Sequence, residues 1–421
     1  MHTFALLFLV ALAAHLVVRI WLAWRQIRFV EEHRTSMPAA FESIVSPAEH
    51  ARAADYVAAG ERLVMVEVVY DTLVALALTL GGGIAVVAAW SAAAVGGGGV
   101  AAGALHILGV FAALALLELP FGLYRTFVLE QRFGFNRTRP ATFVADRLKG
   151  WALGLVLGGA MAACVLWIMA TAGSYWWLVG WGAWFGFSLL VTLAWPRLIA
   201  PLFNKFSPLE DASLKARIDA LLERCDFRAK AVFVMDGSRR SSHGNAYFTG
   251  LGREKRIVFF DTLLGSLTPQ QIESVLAHEL AHFKLRHVPQ RLVAGALLSL
   301  AGFAVLGWLA DQDWFYAALG VPQPGDSSAL LLFLVAAPAF TWLVSPLLAA
   351  WSRRHEFEAD AFAARHSDAR ALADALARLY KDNATTLTPD PLYSAFHDSH
   401  PPPAVRIGKL LALVRPAAPA Q

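Results

Sequence analysis

The sequence predicts a mainly α-helical, polytopic membrane protein that carries a polar domain with a small β-sheet. Three observations predict it. The chain is 57% hydrophobic and only 16% charged, with a mean hydropathy of +0.50, which is more apolar surface than a soluble domain can hide. Seven stretches are apolar over the roughly 20 residues that a bilayer crossing needs. Two polar regions, 197–288 and 351–421, are each large enough to fold and fall on one side of the membrane.

The spans follow in order. Residues 3–24 lack a preceding basic region, run too long for a signal-peptide core, and are followed by Arg25, Arg28 and Arg34, so they read as an uncleaved first span. The second span, 66–90, is impure, with Glu67 and Asp71 near its start. The Gly- and Ala-rich SAAAVGGGG turns it into the third, 98–121. The fourth and fifth, 151–172 and 175–196, complete an N-terminal membrane region, 1–196. The sixth and seventh, 289–310 and 329–350, belong to a second region, 197–421. Basic residues orient these spans. Arg25 to Arg62 follow the first, Arg125 to Lys149 lie between the third and fourth, and Arg353 and Arg354 follow the seventh. The connection 173–174 is uncharged, and the 311–328 loop carries Asp311, Asp313 and Asp326. By the positive-inside rule the N-terminus is outside and the C-terminus cytoplasmic, as an odd number of spans requires.

Net charge is +4 without a basic tail or an aromatic-interleaved basic patch, so nothing points to nucleic acid. Cys164 sits in an apolar run and Cys225 in a polar segment, which excludes a cysteine-based zinc site. In the polar regions, Leu214, Ile218, Leu221 and Leu222 have helical spacing, and AVFVMD and RIVFF are short β-rich runs. Thr268-Pro269-Gln270-Gln271 opens the next helix with a capping-box pattern. The RPAAPAQ tail reads as frayed.

That capped helix contains AHELAHFKLRH, residues 277–287, in which His278, Glu279 and His282 spell H-E-x-x-H. Four residues apart on a helix, the two imidazoles share a face and can grip one ion. Glu279 sits about 100° round, beside the ion, where a carboxylate can take a proton from activated water. The bland alternative is a chance match in a chain with 13 histidines. His287 lies on the same face of a straight helix, either supporting the site or simply ending the helix at the interface.

Zinc needs a third protein ligand and leaves a fourth position for water. RRHEFEADAF, 353–362, offers Glu356, Glu358 and Asp360. Glu356 and Asp360 share a helical face and Glu358 points elsewhere. Glu356 is therefore read as the ligand and Asp360 as the acceptor that fixes a ligand histidine. His355 is a rival ligand, and a solvated charged helix is the bland account. Farther on, HDSHPPPAVR holds His400 in a stiff segment before three prolines. His400 and Arg406 suit an oxyanion, and a rigid packing loop accounts equally for the same residues.

These stretches resemble the type I integral-membrane zinc CAAX prenyl proteases. HELAHFKLRH, EFEADAF and SHPPPAVR carry the resemblance, with LEQRFGFNRTRP at 129–140, PLFNKFSPLED at 201–211 and DGSRRSSHGNAYFTGLGREKRIVFFDTLL at 236–264. The resemblance implies seven helices enclosing a chamber, with one zinc ion facing it. Residue by residue, it implies His278, His282 and Glu356 as ligands, Glu279 as the catalytic glutamate and Asp360 as the support of a ligand histidine. His400, Arg406 and Asn245 match groups near the substrate carbonyl and backbone. Ala246 to Gly250, including Tyr247 and Phe248, match an edge strand along which substrate pairs. The implied partner is a lipidated or otherwise membrane-associated protein in the bilayer, with the prenyl chain of a C-terminal C-a-a-X tail as the type case.

The Ala-, Arg- and Gly-rich composition, with no evident ER-retention signal, points to a bacterial inner membrane. In that setting the native substrate is a different membrane or misfolded protein, and the alternative function is quality-control proteolysis of the kind done by relatives with fewer spans. A reading of another class is a transporter or receptor with a non-catalytic metal site. Its expected signature, intramembrane charge, is sparse: Glu67, Asp71 and Glu118.

Overall fold

The computed structural model describes residues 2–228, 231–249 and 256–414. Among the described residues, six helices are long and apolar enough to cross a membrane: Thr3–Glu32, Val100–Glu130, Pro140–Thr171, Gly173–Phe203, His287–Ala310 and Asp326–His366. The expected second span differs. It consists of two helices, Pro47–Leu78 and Gly83–Val95, bent by 54° at the break between them. The cause is the run Gly81-Gly82-Gly83. Gly82 has φ +76°, a conformation that ends a helix and that glycine alone enters freely. The break is also a packing point, because a Cβ on Gly320 would lie 2.4 Å from the Thr79 carbonyl oxygen.

Several spans outrun the bilayer. Thr3–Glu32 has 30 residues, about 45 Å of helix against a hydrocarbon core of about 30 Å. The last span likewise continues unbroken as Ser345–His366, so the charged stretch 353–360 is the polar end of a membrane helix. Val86, Leu190, Leu297 and Leu347 remain exposed on these helices, as side chains facing lipid do. Between the helices Phe8, Ile84, Val110, Leu166, Leu306 and Leu332 form a buried apolar cluster.

The polar half contains a four-stranded sheet of order β1-β2-β4-β3, with β1 Phe206–Pro208, β2 Ala231–Met235, β3 Ala246–Thr249 and β4 Arg256–Phe260. β2 and β4 run parallel, with Val232 opposite Ile257, and β3 lies antiparallel to β4, with Ala246 opposite Phe259. AVFVMD and RIVFF thus supply the two central strands. Helix Ala212–Arg224 buries Leu214, Ile218, Leu221 and Leu222, the four residues whose spacing predicted it. They share one core with Phe259, Leu276 and Leu280, with Ala359 and Ala363 of the last span, with Leu372 and Ile407, and with Phe41 and Val45 from the N-terminal side.

Polar ties hold the first membrane helices to the C-terminal segment. Arg25 pairs with the buried Asp390 at 2.8 Å, and the Asp390 N–H donates to Gln26 at 2.7 Å. The Tyr393 hydroxyl donates to Glu61 at 2.6 Å. A cavity of about 620 Å³ opens between these elements, lined among others by Tyr56, Glu61, Asn245, Glu279 and His400. Both cysteines are free. The tail 415–421, expected to fray, lies outside the described residues.

Candidate metal centre

The H-E-x-x-H helix runs over Pro269–Lys284 and begins with the capping box the sequence predicts. The Thr268 Oγ1 accepts from the Gln271 N–H at 3.3 Å, and the Gln271 Oε1 accepts from the Thr268 N–H at 2.9 Å. Ile272, Leu276 and Leu280 anchor the helix in the core. That leaves His278 and Glu279 on the face that lines the cavity.

The Nε2 atoms of His278 and His282 lie 3.4 Å apart. Glu356, delivered by the last span, places Oε2 3.4 Å from His278 Nε2 and Oε1 3.5 Å from His282 Nε2. Tetrahedral ligands at about 2.0–2.1 Å from an ion stand roughly 3.3–3.4 Å from one another. The two imidazole nitrogens match one edge of a zinc site, Glu356 turns one oxygen toward each of them, and one donor atom from each of the three residues lies within 4.8 Å of the others. The Glu356 Oε2 is also buried without a hydrogen bond; the Arg406 Nη2 lies 3.3 Å from it in ion-pair range, and a buried carboxylate favours positive charge beside it.

Electrostatics agree with a cation at this point. Burial and the Arg406 charge oppose protonation of His278, but hydrogen bonds to Asp360 and Glu356 prevail and lift it to about 9. Burial, together with the charge on His278, pushes His282 down to about 3. The carboxylates thus favour positive charge at His278, the ring that Asp360 and Glu356 flank. Burial raises the Glu279 carboxyl above the usual carboxylate range, which suits a group that must accept a proton.

Asp360 lies one turn after Glu356, and its Oδ1 is 2.9 Å from His278 Nδ1. Glu358 points away from the triangle, with its Oε2 3.1 Å from His287 Nε2 and its Oε1 accepting from Arg354 at 2.9 Å. The rival ligand His355 is buried outside the triangle. It stacks on His287 with centroids 4.0 Å apart and planes 4° from parallel. His287 does not continue the motif helix. Arg286 sits at φ +61° and a new helix starts at His287, so the straight-helix placement of His287 is corrected.

Arg406 and His400 part company. Arg406 is buried, with Nε and Nη2 each 2.8 Å from an Asp360 oxygen and Nη2 3.3 Å from Glu356. Its fork is committed to the carboxylates behind the triangle, so this geometry favours a bracing task over an oxyanion. His400 hangs from the opposite wall, its Nε2 3.6 Å from Glu356 Oε2 and its Nδ1 3.0 Å from Ser399 Oγ. Its side chain is exposed to the cavity.

β3 is a sheet edge beside the cavity. The Asn245 carbonyl accepts from the Phe260 N–H at 3.0 Å, so the alternation of an antiparallel ladder turns the Ala246 backbone outward. That outward N–H donates to the side chain of Asn245 itself at 2.8 Å. Tyr247 faces Val258 across the strand and Phe248 faces Ile257, while Gly250 lies outside the described residues.

Some supporting residues were invisible to local reasoning. Asn383 Oδ1 accepts from the Gly244 N–H at 3.1 Å and lies 3.2 Å from His243 Nδ1, which ties the loop before β3 to a segment about 140 positions away. Arg240 reaches Asp146 and Asn204 at 2.8 Å, and its carbonyl accepts from the Arg137 N–H and the Thr138 hydroxyl, each at 3.1 Å. Together these explain why the stretches 129–140 and 201–211 belong with 236–245. Glu130 accepts from the Tyr56 hydroxyl at 2.5 Å. The Tyr380 hydroxyl lines the cavity, buried and unpartnered. Glu130, Asn204 and Arg240 lie in the stretches that carry the resemblance, whereas Tyr56, Asp146, Tyr380 and Asn383 lie outside them, and no local spacing marks them because their contacts are long-range.

The chain matches two family models, "CAAX prenyl protease N-terminal, five membrane helices" over residues 26–205 and "Peptidase family M48" over residues 208–414. It is 38% identical over 308 residues to the CAAX prenyl protease 1 homolog of Arabidopsis thaliana, covering 72% of this chain and 73% of that one. Identity to CAAX prenyl protease 1 of Saccharomyces cerevisiae is 34% over 325 residues, covering 73% and 71%. To the human CAAX prenyl protease 1 homolog it is 32% over 335 residues, covering 70% of each. The crystal structure of S. mikatae Ste24p superposes with a TM-score of 0.89 at 28% identity, covering 97% of this chain and 99% of that one.

Proposed function

The chain belongs to peptidase family M48 with a CAAX prenyl protease N-terminal region, and on that premise we propose that this membrane metallopeptidase is zinc-dependent and cuts prenylated, CAAX-type chains near their C-terminus. The observation that carries the proposal is the donor triangle of His278, His282 and Glu356 beside Glu279, in the wall of the cavity that β3 borders. The division of labour follows the same line, with residues 1–196 forming the membrane region and 197–421 the peptidase region. The basic segments 25–62 and 122–150 support an outside N-terminus and a cytoplasmic C-terminus. The composition supports a bacterial inner membrane.

His278, His282 and Glu356 would hold zinc, which when bound would supply Lewis acidity to the scissile carbonyl and to water. The protein's own groups do the rest. Substrate backbone pairs along β3 as an added strand, displacing the Asn245 side chain from the Ala246 N–H, so that Asn245 is free to bind the peptide. Glu279 takes a proton from the attacking water and returns it to the leaving amine, so the C–N bond breaks with no net proton change. His400 approaches from the opposite wall and donates to the carbonyl oxygen as charge develops there. Asp360 keeps His278 in the tautomer that leaves Nε2 free, and Arg406 holds Asp360. The prenyl chain remains among the apolar helices, which is why the site sits at a membrane surface.

The test is cleavage of a farnesylated C-terminal peptide by the purified, detergent-solubilised chain. Cleavage that needs both the farnesyl group and bound zinc supports the reading. Equal cleavage of the unprenylated peptide would remove the lipid from it.

A further inference from the structure

A ligand histidine offers one ring nitrogen to an ion and leaves the other for the protein to hold, and that second contact sets tautomer and ring orientation. Asp360 holds His278. Among the described residues, no carboxylate touches the far nitrogen of His282. A second histidine does, with His282 Nδ1 3.0 Å from His287 Nδ1. The chain of contacts continues from His287 Nε2 to Glu358 Oε2 at 3.1 Å and from Arg354 Nε to Glu358 Oε1 at 2.9 Å. One arrangement of protons serves every contact while leaving His282 Nε2 bare toward Glu356. His282 Nδ1–H donates to His287 Nδ1, and His287 Nε2–H donates to ionised Glu358.

We infer that His287 and Glu358 form a positioning relay that holds His282 in its metal-binding tautomer and orientation, the counterpart of Asp360 behind His278. The inference rests on His282 being a ligand, and it adds two residues to the site. The backbone is arranged for it. The break at Arg286, with φ +61°, turns His287 back beneath His282 instead of carrying it along the helix axis. A non-glycine residue in that region is uncommon and strained. The His287 ring is buried and pinned by the parallel ring of His355 4.0 Å away, which Trp351 backs at 4.8 Å.

A competing use of the same residues is a second ion, since His287, His355 and Glu358 bring donor atoms within 4.8 Å of one another. Their geometry argues against it. Both His287 nitrogens are engaged, and His355 lies flat on the His287 ring rather than converging with it on a point.

The experiment measures zinc stoichiometry and zinc affinity, by chelator competition, on the full-length solubilised chain. His287→Leu should weaken zinc about 10–100-fold, the usual cost of losing a residue that orients a ligand. His287→Asn, whose amide oxygen can accept from His282 Nδ1–H, should recover most of that loss. Glu358→Ala, at a half-exposed and fold-tolerant position, should weaken zinc by up to about tenfold on the same scale. Wild-type affinity in Glu358→Ala overturns the relay, and so does an Asn variant no better than Leu. Two zinc ions per wild-type chain, one of them lost in His355→Ala, overturn it in favour of a second ion. Wild-type protein without zinc, or His282→Ala with full zinc, instead defeats the ligand reading beneath it, so the two failures are distinguishable.

Discussion

Glu279 and Glu356 stand on neighbouring helices and line one cavity, yet their removal should have opposite signatures. Glu279→Gln keeps shape and hydrogen bonding and deletes only the proton acceptor. It should fold, retain zinc and bind the farnesylated peptide, with cleavage about 10²–10⁴-fold slower. Single-turnover assays and zinc content on the same preparation check this, and cleavage within a few-fold of wild type would sink the assignment. Glu356→Ala, His278→Ala and His282→Ala should each lose stoichiometric zinc. Glu358→Ala should still bind stoichiometric zinc when zinc is in excess, since among the described residues Glu358 reaches His287 and Arg354 rather than the ligands. Metal analysis before and after dialysis separates the two carboxylates. Asp360→Asn should be milder on chemistry and cost about 10–100-fold in zinc affinity.

At the scale of elements, two small features should matter more than their size suggests. The Thr268 cap satisfies an N–H at the start of the motif helix, and Thr268→Ala should cost about 1 kcal/mol. The expected readout is a lower unfolding temperature with unchanged zinc stoichiometry. A loss of metal instead would mean that the cap positions the ligands. Glycines at turns give a sharper contrast. Gly320 has φ +80° and no room for a Cβ beside the Thr79 carbonyl, whereas nothing lies within 4 Å of a Cβ on Gly97. Gly320→Ala should therefore destabilise clearly and Gly97→Ala hardly at all. Equal thermal shifts in the two variants would show that the break between Leu78 and Gly83 does not depend on this contact.

On the scale of the molecule, the open question is how the helices sit in the bilayer. Reporter fusions after residues 60, 145, 240 and 400 should read cytoplasmic, and fusions near 94 and 320 external. An external signal at 240 would put the peptidase half on the wrong side and defeat the charge argument. An external signal near 94 would also show that the bent pair Pro47–Leu78 and Gly83–Val95 crosses as one span rather than re-entering. The long polar ends of the spans explain how a membrane protein builds a peptidase core at all. Ala359 and Ala363 of the last span pack with Leu276 and Leu280 of the motif helix, so the last span contributes directly to the core that carries the site.

What could be read from the chain alone was whatever short-range physics encodes. Twenty apolar residues make a span, and Thr268-Pro-Gln-Gln makes a helix start. His278 and His282, four apart, share a face, and Glu356 and Asp360 repeat that spacing while Glu358 faces away. Each of these relations is set by helical geometry within a few residues, and each is present in the structure. The long-range relations had no such signal. Arg406 turned inward to Asp360 because a buried carboxylate beside a histidine demands a cation, a demand that exists only once the last span and the C-terminal helix have packed. The second span broke where three glycines met the Gly320 loop, and His287 folded back under His282 because Arg286 left helical geometry. Tertiary packing decided these, since it selects which polar groups are buried together, and burial makes an unpaired charge or hydrogen-bonding group too costly to leave alone.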